Sequence, residues 1–112
     1  MDLETVRDLC LSLPHTAEVD HFSKPSYSVM KKIFATLWLD EKKIVVKLSP
    51  ASQADYCDNR PQIYSPIKGY WGKKGWTEVN LSKITSKKEI EMVQQTAWSN
   101  VAPKSTKSTH KK

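Results

Sequence analysis

Apolar residues recur at Leu3, Val6, Leu9, Cys10 and Leu13, the spacing of an amphipathic helix over residues 2–12, and Pro14 ends it. The next stretch, "HTAEVDHFSKP", alternates acidic with apolar positions. It predicts a short edge strand or extended segment whose end is set by Pro25, because the residue before a proline avoids the helical region. From Ser26 the pattern has period two. "SYSVM" and "KIFATLWLD" are separated by Lys31-Lys32, and "KKIVVKLS" follows the turn at Asp40-Glu41. In the middle run Ile33, Ala35, Leu37 and Leu39 are expected on one face and Phe34, Thr36 and Trp38 on the other, a central strand of an antiparallel meander.

Ser49 and Pro50 place an N-cap and a first helical residue at the head of "SPASQADYCDN", with Ala51, Ala54 and Cys57 or Tyr56 as its buried side. "RPQIYSPIKGYWGKKG" holds two prolines and three glycines and cannot be one regular element. "WTEVNL" reads as a strand with Trp76, Val79 and Leu81 in imperfect alternation. Ser86-Lys87-Lys88-Glu89 is a capping box opening a last helix, whose stripe is Ile90, Val93, Ala97 and Val101 with Trp98 at its border. No internal repeat is visible. Helices flanking a block of hairpin strands predict an α+β fold, an antiparallel sheet with helices packed on one face. The other face would carry Phe34 and Trp38, an aromatic surface that needs a partner if nothing covers it.

Charge changes this picture less than its total suggests. The chain carries +6, but four of its 18 basic residues and none of its 12 acidic ones lie in "KSTKSTHKK", residues 104–112. The expectation is a single domain over residues 1–103 followed by a disordered basic tail, with a nearly neutral body. No run is long and apolar enough for a membrane span, and the N-terminus lacks the basic start and apolar stretch of a signal peptide, so a cytoplasmic protein is expected. Cys10 and Cys57 are read as reduced, partly buried small apolar residues.

The stretches "LPHTAEVDHFSKPSYSVMKKIFATL", "VVKLSP", "YWGKKGWTEVNL" and "AWSNVAPK" resemble the MmcQ/YjbR family in order and spacing, over about residues 9–104. The resemblance implies a frataxin-like α+β fold and a DNA-binding role attached to a "double-wing" shape. Two places depart from the family. Phe22-Ser23 keeps an aromatic but lacks its following glycine, and Lys31-Lys32 stands where glycine often precedes lysine. A hairpin without glycine is expected to use another turn type or a longer loop.

For chemistry, "HTAEVDH" sets His15 and His21 around Glu18 and Asp20, but in an extended segment Glu18 and Asp20 share a face and His21 points away. No zinc spacing, nucleophile motif or phosphate-binding loop accompanies them, so no metal, no cofactor and no enzymatic activity are expected. The candidate DNA contacts are Lys31 and Lys32 at one hairpin tip and Lys68, Lys73 and Lys74 in a second loop, two basic wings gripping the phosphate backbone. A solvated tip is the competing reading of these lysines. Trp71 and Trp76 are read as packing residues, with Gly72 and Gly75 permitting positive backbone angles in a tight loop. Alternatively Trp38, Tyr64, Tyr70, Trp71 and Trp76 line an aromatic groove for a small anionic or planar ligand, or for a protein partner. Weakly selective DNA binding by a monomer is the leading expectation.

Overall fold

The computed structural model describes residues 1–103, so the expected tail over 104–112 lies outside the described residues. The elements in chain order are α1 (Leu3–Leu11), β1 (Thr16–His21), β2 (Lys24–Val29), β3 (Lys32–Trp38), β4 (Lys43–Lys47), α2 (Pro50–Asn59), β5 (Tyr64–Pro66), α3 (Tyr70–Lys73), β6 (Trp76–Asn80) and α4 (Lys87–Val101). All six strands form one antiparallel sheet in the order β1-β2-β3-β4-β6-β5, with β1 and β5 at its edges. α1, α2 and α4 pack on one face, and the α+β architecture read from the periodicity is the one observed. The core between the two layers gathers Val6, Tyr27, Leu37, Val46, Val79 and Val93, among others.

The first hairpin corrects two expectations. β1 ends at His21, not at Pro25, because Phe22 and Ser23 form a two-residue turn at φ 53° and 63°. Pro25 lies inside β2, paired with Asp20. The next turn repeats the device: Met30 and Lys31 take φ 50° and 70°, and Lys32 is already the first residue of β3. Both turns therefore have the positive-φ pair of the primed two-residue class that matches strand twist. They do so without glycine, so neither a longer loop nor another turn type was needed. Left-handed backbone at a residue with a side chain costs on the order of 1 kcal/mol, which the long β1–β2–β3 ladder offsets.

A β-bulge decides the faces of β3. Tyr27 opposes Ala35 while Ser28 opposes Ile33, so Phe34 is an extra residue in the ladder. Phe34 is fully buried in the core with Ala35 and Leu37, whereas Ile33 moves to the helix-free face. Strict alternation had assigned these two residues the other way round. On β6, Thr77 and Val79 face the core, and Trp76 stands on the opposite side, out of step with Val79. In α2, Ala51 and Ala54 are exposed. Gln53, Tyr56 and Cys57 form its inner side, because this helix anchors polar loop carbonyls as well as apolar surface.

The helix starts follow the sequence closely. Ser49 Oγ accepts from the Ser52 amide at 3.1 Å, and Ser86 Oγ accepts from the Glu89 amide at 3.1 Å. The second half of the capping box is missing: Glu89 accepts instead from the Tyr64 hydroxyl at 2.8 Å and pairs with Arg60 at 3.2 Å. α4 buries Ile90, Val93, Ala97 and Trp98 as expected, and also Gln94, whose amide donates to the Val6 carbonyl at 3.1 Å. Trp98 Nε1 donates to the Pro14 carbonyl at 3.0 Å.

Candidate nucleic-acid interface

Strand directions place the charged turns. The β2–β3 turn and the β5–β6 connection project from the same end of the sheet, about three strand spacings or 14 Å apart. Lys31 and Lys32 lie on the first and Lys68, Lys73 and Lys74 on the second, all five exposed. The topology thus brings the two sequence-predicted lysine groups to one end. Lys47, at the last position of β4, joins them between the two turns and was not singled out from the sequence. Five chain segments meet here, residues 10–17, 28–33, 46–53, 65–76 and 97–103, and none contains an aspartate or glutamate. The opposite end mixes signs: Asp40, Glu41, Asp58, Glu89 and Glu91 alternate with Lys42, Lys83, Lys87 and Lys88.

The second loop is not a hairpin-like wing but a single helical turn, α3, held tightly to the sheet. Gly72 has an ordinary backbone angle; its requirement is space, since a Cβ there would overlap the Ile67 carbonyl oxygen. Gly75 has φ 110°, and a Cβ on it would overlap the Leu48 carbonyl oxygen. Gln53 of α2 completes the anchorage, its side-chain nitrogen reaching the carbonyls of Gly72 at 2.9 Å and Trp76 at 3.2 Å and Thr77 Oγ1 at 3.1 Å. Lys73 and Lys74 therefore project from a fixed turn.

The aromatic residues divide three ways. Tyr64 is 1% exposed and sits on the helix side against Tyr56, so it lines no groove with Trp38. Burial, with the Glu89 hydrogen bond second, pushes its phenol above the usual range. Tyr70 and Trp71 are 62% and 58% exposed, which corrects the packing role expected of Trp71. Their rings meet edge to face at 5.2 Å. Trp38 and Trp76 stand on the helix-free face, where with Trp71 they wall a cleft of about 370 Å³ floored by Thr36 and Val45. The Nζ atoms of Lys24 and Lys43, from the strands on either side, each lie 4.5 Å from the Trp38 ring centroid. His21 and Phe22 close the far rim. Of the aromatic residues considered for a groove, Trp38, Trp71 and Trp76 line the cleft and Tyr64 and Tyr70 do not. Lys24, His21 and Phe22 were not read as its lining because the β1–β2 turn, far from residues 71–76 along the chain, supplies them.

The "HTAEVDH" segment assembles no cluster. Glu18 faces the helix side and bonds Arg7 Nε at 2.7 Å, which raises the guanidinium pKa, while His21 points to the cleft. Among the described residues no group of three or more His, Cys, Asp or Glu could hold a metal ion. Cys10 is fully buried and Cys57 half-buried, both free, and burial pushes both thiols up, away from the reactive thiolate. Among these residues no helix is long and apolar enough to cross a membrane.

Comparison with known proteins adds a decisive observation: the family model for YjbR matches residues 11–100. The chain belongs to the YjbR family. The crystal structure of Deinococcus radiodurans protein DR2400, which carries a DUF419 domain, aligns with this YjbR-family chain at a TM-score of 0.76. The alignment covers 92% of this chain and 80% of that one at 20% identity, a likeness of fold. No curated protein sequence matches the chain significantly.

Proposed function

We propose that this YjbR-family protein binds DNA without catalysis, gripping the phosphate backbone with the lysine end of its sheet. The observation that carries this reading is the absence of any carboxylate from the five segments that meet at that end, around six lysines. Cations with no acidic neighbours keep their full attraction for phosphate and release counterions on binding. The roughly 14 Å between the two basic projections compares with a major groove about 12 Å wide, so they can touch backbone on both of its sides. Nothing at the tips offers the fixed amides or guanidinium forks of base readout, which supports low sequence selectivity.

The test is titration of duplex DNA at several salt concentrations. Affinity should fall steeply with salt, and replacing Lys31, Lys32, Lys73 and Lys74 by glutamate should weaken it on the order of 100-fold at low salt and flatten the salt dependence. Binding insensitive to salt or to these changes would sink the reading. A chain ending at Pro103 should retain the interaction; loss there would make residues 104–112, not the folded domain, the contact.

A further inference from the structure

We infer that the cleft on the helix-free face holds an unpaired nucleobase of a nucleic-acid strand whose phosphates continue along the lysine end. This rests on the phosphate-binding reading above and goes beyond it by giving the cleft an occupant. Two exposed aromatic rings guard the cleft from opposite ends, Phe22 at 83% and Trp71 at 58% exposure. Neither position is accounted for by packing. Phe22 occupies a turn site at φ 53°, where asparagine or glycine would be easier, so the chain bears backbone strain to keep a ring in water there. His21 holds that ring edge-on at a centroid distance of 4.4 Å.

The charges around the cleft specify the rest of the occupant. Lys43 is neutralised by Glu78 at 3.4 Å, whereas Lys24 has no carboxylate within ion-pair distance among the described residues. Its ammonium group, over the Trp38 ring, is thus a cation without an ion-pair partner beside a lining made mainly of aromatic and apolar side chains. A flat ring attached to a phosphate satisfies both features. Trp71 belongs to α3, whose next residues include Lys73 and Lys74, so a strand leaving the cleft at that end meets the lysine tips directly. Paired bases hide their faces in the duplex stack. Stacking against Trp71 or Phe22 therefore requires a single-stranded or extruded base.

The experiment compares, on the full chain, a single-stranded oligothymidylate, a blunt duplex, the same duplex with an unpaired overhang, and free thymidine monophosphate. The single strand and the overhang should bind about tenfold more tightly than the blunt duplex and quench tryptophan fluorescence. Trp71→Ala and Phe22→Asn, the latter suited to the positive φ, should each remove that advantage and leave blunt-duplex affinity within about twofold. Equal affinity for paired and unpaired probes, or an advantage that survives both substitutions, overturns the inference. So does free monophosphate binding as tightly as the strand, which would make the cleft a small-molecule site. If the four lysine reversals abolish duplex binding while Trp71→Ala leaves the preference intact, only the cleft inference fails. If the reversals leave duplex binding unchanged, the phosphate reading fails with it.

Discussion

The two ends of the sheet carry similar numbers of exposed lysines but different company. At the end bearing the β3–β4 loop and the start of α4, lysines and carboxylates are interleaved; at the end bearing Met30–Lys32 and α3, the segments that meet contain no carboxylate. Net charge cannot register this difference, because it sums over both ends. What attracts a polyanion is the local field, and topology concentrates that field where strands 2, 3, 4, 5 and 6 turn or end.

The sharpest way to break the comparison is to reverse four lysines at the mixed end, Lys42, Lys83, Lys87 and Lys88, to glutamate. Duplex affinity should change less than about threefold, against the roughly 100-fold loss expected from the basic end. Equal losses from both sets, measured side by side at low salt, would reduce the interaction to total charge.

Next in size is Gly72→Ala, which forces a Cβ against the Ile67 carbonyl and should cost about 2–3 kcal/mol in denaturant unfolding. The equivalent step at the exposed Ala54 of α2, Ala54→Ser, should cost less than about 0.5 kcal/mol. Gln53→Ala removes the donor shared by Gly72, Trp76 and Thr77 and should cost about 1–2 kcal/mol. Its more telling effect would be on hydrogen exchange, with faster exchange through residues 67–76 and none through the Met30–Lys31 turn.

Alkali should act on both ends alike, since its targets lie in the core. Burial raises the Cys10 thiol above its ordinary 9.0, so the folded state keeps the proton that the unfolded state gives up. This contribution is complete below about pH 9 and declines above it, at up to about 1.4 kcal/mol per pH unit while only the unfolded thiol is ionised. Tyr27 and Tyr64, also raised by burial, add to the loss above their ordinary 10.0. Cys10→Ala should lower overall stability yet flatten its pH dependence between pH 9 and 10. The smallest effect is expected from Met30-Lys31→Asn-Gly, a gain of about 0.5–1 kcal/mol from relieved backbone angles, at the cost of one lysine at the tip.

Most of the architecture was legible where one physical signal dominated. The N-caps at Ser49 and Ser86 and most of the α4 stripe depend on neighbours within one turn of helix, and these are found as read. The reciprocal Glu89 half of the capping box is not, because Tyr64 and Arg60 from distant segments take its carboxylate. The exchange of Ile33 and Phe34 was not legible, because a bulge depends on how a partner strand closes over them. Tyr64 was misassigned for a related reason. A tyrosine beside prolines looks like loop, and only the pairing with Val79 turns it to the core and to Glu89. At the candidate site the lysines were visible one by one, but their convergence on an acid-free end was not, since strand order alone brings residues 31, 47 and 73 together. Phe22 was noted only for its missing glycine and Lys24 not at all, because a turn without glycine gives no sign in the sequence that it folds back beside Trp38.

The sheet's borders govern how the molecule meets copies of itself. β5 contributes three residues, the last of them Pro66, which has no amide hydrogen to donate. β1 is longer and exposed along nearly its whole length, but it carries Glu18 and Asp20 on one side. A second β1 laid antiparallel against it would bring carboxylates face to face. Proline at one margin and acidic side chains at the other are features that work against strand addition, and so against lengthening of the sheet from molecule to molecule.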